Sequence, residues 1–156
     1  MPVGPLRSGG RGPYIVPLTF SWQDDRLVFH AARIGRKLDL IHRKGRAAFE
    51  IDLHSEVVVA AQACDWTVRF ASLVGSGPIR ILEDEDEKGR ALEVLMRHNR
   101  HTGPLEIPVA AVRGTAVFKL QIEEMSGKCN DLEWFSQVVN RNKDNDELSS
   151  SSGGGG

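Results

Sequence analysis

The chain has 156 residues, 40% of them hydrophobic and 26% charged, which is enough for one folded domain with a substantial core. Its formal net charge of −1 gives no global basic field for nucleic acid or an anionic membrane, so any anion site must be local. The sequence has no apolar run of membrane-spanning length, no signal-peptide pattern at its start, and only two cysteines. We therefore expect a cytoplasmic protein in which Cys64 is a buried small residue.

The first part of the chain predicts an antiparallel pair of strands. Residues 1–13 are rich in Gly, Pro and Arg, which is typical of a frayed start that leads into a tight turn. Tyr14–Phe20 is β-branched and aromatic and is predicted as a strand. Pro17 cannot donate a ladder hydrogen bond, so it should lie at an edge, a bulge or a ligand wall. The polar residues 23–25 then predict a hairpin turn into a second strand, which reaches His30.

The stretch Leu27–Ile41 passes from a strand to a helix through small and cationic residues. Gly35, Arg36 and Lys37 follow the strand, and the helical stripe that comes next can end at a Gly45 cap. The start of such a helix presents free N–H groups and the positive end of the dipole, here beside two cationic side chains. This arrangement favours a phosphate, and the alternative is a solvated basic turn.

Further β segments are predicted after this helix. Residues 46–53 alternate apolar and polar side chains, as in a half-buried strand, and residues 55–63 could be strand or loop. Residues 66–82 form a long β segment that Gly75 and Gly77 are expected to bend.

Two polar side chains on this long segment could bind an anion. Arg69 could supply a forked donor to a phosphate, and Ser72 could add a hydroxyl group. Alternatively, Arg69 forms an ordinary surface ion pair. The residues alone leave both interpretations open.

The second half of the chain predicts a helix, a strand and a tail. Residues 83–101 have an acidic start, with Asp84 as the expected cap, and a buried apolar stripe. Residues 115–124 alternate cleanly and are predicted as the closing strand. Residues 131–139 keep a possible helical register, whereas 140–156 are polar and predict a flexible tail.

The predicted order of elements is β-β-α-β-β-β-α-β, with five or six strands. This order favours a mainly β protein, an antiparallel barrel with two helices outside it. The alternation of strands and helices typical of a doubly wound sheet is missing, and no GxGxxG motif follows a strand. A Rossmann domain is therefore disfavoured.

Four stretches of the sequence together resemble one protein family. They are PYIVPLTF, LVFHAARIGRKLDLI, ACDWTVRFASLVGSG and the acidic-start helix with ALEVLMRH. In this order and spacing, from about Gly9 to Lys128, they resemble the pyridoxamine 5'-phosphate oxidase-related proteins, most closely the nitroimidazole-resistance branch of the flavin-binding split barrels. The resemblance implies a six-stranded split barrel that forms a homodimer, with FMN in a groove between the subunits.

The resemblance also implies which residues form the site. Arg36 and Lys37 would hold the flavin phosphate, helped by Arg69 and Ser72. Val16–Phe20 would be the flavin-facing strand, and the remaining cofactor contacts would be Pro17, Leu18, His30, Ala31 and Val74. His30 stands where this branch carries a histidine close to the flavin ring, so it is the candidate catalytic residue. The alternative for His30 is a hydrogen-bonded histidine at a strand end.

The implied function is an FMN-dependent oxidoreductase that passes electrons from NAD(P)H to a small aromatic substrate such as a nitro compound. The alternative is a protein that binds flavin, deazaflavin or haem without turnover. Pyridoxamine phosphate oxidation is a third possibility, although no separate basic cluster is visible for that substrate. A metal site is not expected, because His98 and His101 lack a third ligand at suitable spacing.

The resemblance also sets the expected domain boundaries. Residues 1–128 would form the split-barrel domain, with the family's N-terminal helix and part of its first strand missing, because only Pro2–Arg7 remains for that strand. Residues 129–156 would be a largely flexible extension. Trp134 and Phe135 in this extension could fold back on the flavin groove.

Overall fold

The computed structural model describes residues 13–99 and 102–140 and divides them into two compact units. The first unit contains residues 13–47 and 78–121, apart from 100 and 101, and the second contains residues 48–77 and 122–140. The expected frayed start, the expected strand remnant Pro2–Arg7 and most of the expected flexible tail lie outside the described residues.

The described part of the chain contains six strands, four helices and one 3-10 turn. The strands are β1 (Phe20–Gln23), β2 (Arg26–Ala32), β3 (Arg46–Val58), β4 (Thr67–Ile81), β5 (Thr115–Gln121) and β6 (Glu124–Cys129). The helices are α1 (Arg36–Lys44), α2 (Glu85–His98), α3 (Val109–Gly114) and α4 (132–140), and the 3-10 turn is Ala63–Asp65. The strands pair in the order β1-β2-β5-β4-β3, and β6 also pairs with β4.

The sheet of the first unit begins with the predicted hairpin. Strands β1 and β2 are antiparallel and place Phe20 opposite Phe29, and Asp24 in the turn between them has a φ of 53°. Strand β5 then pairs with the full length of β2, and the end of β4 pairs with β5 opposite Leu120. The prediction of an antiparallel first pair is confirmed. Val28 of β2 is fully buried, because its side chain belongs to the apolar cluster of this unit.

Helix α2 packs its predicted stripe into the core of the first unit. Ala91 and Leu92 lie in one buried cluster, whose other members are Val28, Leu82, Val112 and Val117. The Asp84 side chain caps the helix by accepting the N–H of Glu87 at 2.7 Å, as the sequence predicts. The helix ends at His98, earlier than expected, and the side-chain amide of the C-cap residue Asn99 donates to the Leu95 carbonyl at 2.8 Å.

The carboxylate of Glu87 links helix α2 to two strands of the first unit. It accepts hydrogen bonds from Arg80 on β4 at 2.8 Å and from Lys119 on β5 at 3.3 Å. The bond from Arg80 is the main cause that holds the pKa of Glu87 below its usual value. A second acidic residue of α2, Glu85, pairs with Arg113 at 2.7 Å.

The second unit joins the end of the described chain to strand β4. Strand β6 pairs with β4 from Ala71 opposite Cys129 to Ser76 opposite Glu124. The side chain of Asn130 continues the ladder, since its amide donates to the Val68 carbonyl at 2.7 Å and its oxygen accepts the N–H of Phe70 at 2.9 Å. Helix α4 follows directly.

Several predicted elements differ from the structure. Tyr14–Phe20 is wrong as a strand, because residues 13–19 have no regular structure and β1 starts only at Phe20. Pro17 in the middle of this segment cannot donate to a ladder. Strand β3 runs on to Val58, so the first part of the undecided segment 55–63 is strand. Cys64 is exposed in the 3-10 turn, so the expectation that it is buried is wrong.

Helix α3 and strand β6 were not predicted at all. Helix α3 has six residues, which is too short for a helical hydrophobic period to show in the sequence. Strand β6 reads EMSGKC, which is short, contains no β-branched residue and has a glycine in its interior. It forms through its pairing with β4, a non-local contact that overrides its weak local preference.

Gly75 sits where two neighbours leave no room for a side chain. A Cβ built there would lie 2.5 Å from the Glu124 carbonyl oxygen and 2.5 Å from the Phe49 ring. We expect Gly75→Ala to lower the free energy of unfolding by about 1–3 kcal/mol, measured by urea titration. Gly127→Ala is the matched control, because the nearest atom to its Cβ is in Leu73 at 3.6 Å. Equal losses in both variants would contradict this account.

Candidate functional site

Helix α1 begins after Gly35, and no described side chain caps its first N–H groups. Gly35 is the N-cap residue with a φ of 132°, a conformation that favours glycine, and its carbonyl accepts the N–H of Leu38 at 3.0 Å. At the other end Gly45 adopts the left-handed conformation, with a φ of 61°, and donates its N–H to the Ile41 carbonyl at 2.9 Å. The predicted helix and its glycine cap are confirmed. Its first N–H groups and its positive dipole end remain available to a ligand.

The two cations at this helix start, Arg36 and Lys37, form no ion pair with any residue in the described part of the chain. Arg36 is exposed, Lys37 is half-buried, and the guanidinium carbon of Arg36 lies 4.8 Å from the centroid of the Tyr14 ring. Other arginines in the same unit behave differently, since Arg80 and Arg113 pair with carboxylates at 2.8 and 2.7 Å. The site therefore combines two cations that no described carboxylate pairs with and a helix N-terminus that no described side chain caps. Asp39 is the acidic residue in the same first turn.

His30 and Ala31 lie on strand β2, which leads into α1 through residues 33–35. Both side chains are half-buried, and they stand opposite Val117 and Ala116 of β5. The strand holds its last residues in place through this pairing, so His30 has a fixed backbone position. A half-buried imidazole on a fixed backbone can form a hydrogen bond with a ligand.

Pro17 and Leu18 belong to the irregular segment before β1. Pro17 is exposed, whereas Leu18 is half-buried and lines a cleft of about 340 Å³. The other residues of this cleft are Thr19, Phe20, His98 and Asn99, with the rings of Phe20 and His98 6.0 Å apart. A second cleft, of about 280 Å³, lies between α2 and α3 and contains none of the predicted site residues.

The remaining predicted residues, Arg69, Ser72 and Val74, lie on β4 in the second unit. Arg69 pairs with Asp131 through its Nε atom at 3.1 Å, so the surface ion pair that the sequence left open as an alternative exists in the structure. Ser72 is half-buried opposite Lys128, and Val74 is 47% exposed. The assignment of these three residues to a cofactor stays a prediction.

The structure thus places six of the nine predicted residues in the first unit and three in the second. Sequence reasoning missed the contact between Tyr14 and Arg36, and it missed His98 and Asn99 beside Leu18. No sequence signal pointed to these contacts, because each joins residues far apart along the chain. It also missed Asp131 as the partner of Arg69.

The described residues contain neither a membrane-spanning helix nor a cluster of metal ligands. No helix within residues 13–99 and 102–140 combines the length and apolar character that crossing a bilayer requires. In the same residues no three His, Cys, Asp or Glu side chains are grouped so that they could hold a metal ion.

The order of the strands and their antiparallel pairing define a mainly β protein of the split-barrel class. The sequence profile described as pyridoxamine 5'-phosphate oxidase matches residues 6–129, and the chain belongs to this family. The predicted family and fold class are confirmed. No curated protein sequence matches the chain.

Solved structures of the same fold come from several bacteria. A candidate 5-nitroimidazole antibiotic resistance protein from Bacteroides thetaiotaomicron is 29% identical, with a TM-score of 0.64, over 74% of this chain and 68% of that chain. An FAD and haem binding protein from Mycobacterium smegmatis is 19% identical, with a TM-score of 0.60, over 78% of this chain and 62% of that one. An FAD-binding protein from Mesorhizobium loti is 22% identical, with a TM-score of 0.55, over 80% and 82%.

Proposed function

We propose that this chain is a flavin-binding oxidoreductase that uses FMN. The observation that carries the proposal is the pair of cations, Arg36 and Lys37, at the start of α1, where the described residues provide neither an ion-pair partner nor a side-chain cap. A helix N-terminus with basic side chains is a favourable place for a phosphate. Membership of the pyridoxamine 5'-phosphate oxidase family supports a flavin as the molecule that carries this phosphate.

The charge at this site suits the terminal phosphate of FMN. A phosphate monoester carries a charge close to −2 at neutral pH, and two adjacent cations balance it locally. Because the chain as a whole has a net charge of −1, such a ligand gains nothing from the overall field and depends on these two side chains. We therefore favour FMN over riboflavin, which has no phosphate.

The reaction we propose is the transfer of electrons from NAD(P)H to a small nitroaromatic compound. The bound flavin would supply the redox chemistry. His30, half-buried on β2, would donate a proton or a hydrogen bond to the acceptor or to the flavin. The similarity to the Bacteroides protein, at 29% identity, supports a nitroimidazole-type acceptor.

We also propose that the active form is a cytoplasmic homodimer. Several apolar side chains on and around β3 and β4 of the second unit are 43–64% exposed, namely Leu53, Val57, Val59, Trp66, Val68 and Val74. Soluble monomers rarely leave many large apolar groups open to water, and a second copy of the chain would cover them. A reducing compartment suits the two free cysteines. A strictly monomeric protein that still holds flavin would contradict the dimer.

The test is flavin uptake followed by reduction. The purified protein should show a flavin absorption spectrum after incubation with FMN and removal of free ligand. NAD(P)H should then bleach this spectrum without oxygen, and metronidazole, a 5-nitroimidazole, should restore it. His30→Gln should keep the uptake of FMN but slow the reoxidation by metronidazole at least about tenfold, because a positioned proton donor is lost.

Three other outcomes would each contradict one part of this proposal. Bound flavin that neither NAD(P)H nor pyridoxamine 5'-phosphate reduces would contradict the oxidoreductase proposal and favour a protein that only binds flavin. A protein that takes up no FMN would contradict the proposed cofactor. Unchanged reoxidation in His30→Gln would remove His30 from the catalytic role.

A further inference from the structure

The ring of Tyr14 lies against Arg36, and this contact assigns a role to a residue outside the predicted site. The guanidinium carbon of Arg36 is 4.8 Å from the ring centroid, and the tyrosine is 40% exposed. We propose that Tyr14 is the positioning residue of the phosphate site and holds the guanidinium of Arg36 ready for the ligand. This inference rests on the proposed function, since it deepens the same FMN site.

The geometry of a cation–π contact explains why Tyr14 can support Arg36 without competing for the ligand. The guanidinium carbon lies over the ring, which attracts the cation through its π-electron face and supplies no carboxylate oxygen to the five N–H donors of the arginine. A carboxylate partner would occupy those donors, as Glu87 does with Arg80 at 2.8 Å and 3.4 Å. Arg36 is therefore restrained by an aromatic ring while its donors remain open to a phosphate.

Because the Arg36 side chain is exposed, its contact with Tyr14 can lower the free-energy cost of ordering it when a phosphate binds. Arg36 is exposed at the first position of α1, where a long side chain samples many rotamers, and ordering it on binding costs free energy. A partner that holds the side chain before the ligand arrives reduces this cost. Tyr14 comes from the irregular segment before β1, which has no strand partner of its own, so the contact also restrains that segment.

The first test compares Tyr14→Phe and Tyr14→Leu in the full chain, with FMN and riboflavin as ligands. An exposed cation–π contact is worth a factor of about two to five in an equilibrium constant. We expect Tyr14→Leu to weaken FMN binding by this factor and to leave riboflavin binding unchanged. Tyr14→Phe should bind FMN like the unchanged protein, because it keeps the aromatic face.

A double-mutant cycle separates positioning from general packing. In an Arg36→Ala background, Tyr14→Leu should have no further effect on FMN affinity, because the group that Tyr14 positions is gone. If Tyr14→Leu costs the same factor in both backgrounds, or weakens riboflavin equally, the positioning role is overturned. If Tyr14→Phe is as weak as Tyr14→Leu, the hydroxyl and not the ring face is responsible, which also overturns it.

The tyrosine offers a direct signal as well, because Tyr14 is the only tyrosine among the 156 residues. Incorporation of 3-fluorotyrosine therefore gives a single ¹⁹F resonance. We expect Arg36→Ala to shift this resonance before any ligand is added, and FMN to shift it more than riboflavin does. An unchanged resonance in Arg36→Ala would overturn the contact itself. If the unchanged protein binds FMN no better than riboflavin, the proposed phosphate site fails, and the role of Tyr14 fails with it.

Discussion

Replacing both Arg36 and Lys37 with alanine is expected to weaken FMN binding by at least about a hundredfold. Hydrogen bonds to charged groups are worth about 1.5–3 kcal/mol each, and every 1.4 kcal/mol is a factor of ten in affinity. Neither side chain has an ion-pair partner among the described residues, so their removal leaves no described carboxylate without its cation. The folded structure should therefore survive the change. The measurement is flavin fluorescence quenching on titration with the protein.

A matched control lies at the other end of the same helix. Arg43→Ala with Lys44→Ala removes the same two charges from α1, but at its last turn, far along the helix from the N-terminal groups. We expect nearly unchanged FMN affinity in this control, with a small loss of stability because cations favour a helix C-terminus. Riboflavin adds a second control, since it lacks the phosphate and should bind the Arg36/Lys37 variant as well as it binds the unchanged protein.

Two results would contradict the phosphate site. If the Arg43/Lys44 variant loses as much FMN affinity as the Arg36/Lys37 variant, the effect comes from overall charge and not from the helix start. If the Arg36/Lys37 variant binds FMN normally, the phosphate lies elsewhere. The ion pair between Arg69 and Asp131 identifies the next residue to test, because a phosphate would have to replace the Asp131 carboxylate there.

The parts of the fold that the sequence predicts well are governed by local rules. The path from β2 through Gly35 to α1 and its Gly45 cap depends on a strand period, a helix period and two glycines at positive φ. The cap of α2 depends on Asp84 and a residue three positions later. Each of these features lies within a few residues of its cause, so the sequence alone contains the information.

The parts that the sequence does not predict depend on contacts between distant residues. Strand β6 forms because β4 offers it a partner, and residues 14–19 fail to form a strand although their side chains favour one. The contact between Tyr14 and Arg36 spans a hairpin, and the pair formed by Arg69 and Asp131 joins strand β4 to the residue that caps helix α4. Residue types do not identify which of many possible partners will be neighbours.

For the segment after Cys129, the sequence predicts a largely flexible extension with only a possible helical register in residues 131–139. Its expected flexibility stays a prediction for residues 141–156, which lie outside the described part of the chain. Within residues 130–140 the structure shows a helix whose start is capped by Asp131, which accepts the N–H of Trp134 at 2.9 Å. The indole of Trp134 is only 5% exposed, and Val138, one turn later, is 6% exposed.

Trp134→Ala is expected to lower the free energy of unfolding by about 3–5 kcal/mol, which is the usual cost of emptying a buried tryptophan site. The indole lies 5.4 Å from the ring of His54 and donates its N–H to Glu56, both on β3 of the second unit. Its removal creates a cavity and leaves this carboxylate without that donor. Because a domain is stable by only about 5–15 kcal/mol, urea denaturation should show a large shift of the midpoint.

Leu132→Ala is the matched control for this prediction, since Leu132 lies on the same helix and is 73% exposed. Its expected effect is within about 0.5 kcal/mol, as for most surface substitutions. Trp134→Phe should fall between the two, because it keeps much of the buried volume but loses the hydrogen bond to Glu56. If Trp134→Ala unfolds at the same urea concentration as Leu132→Ala, helix α4 adds no stability to the second unit. The docked helix would then be a dispensable extension of the split-barrel domain.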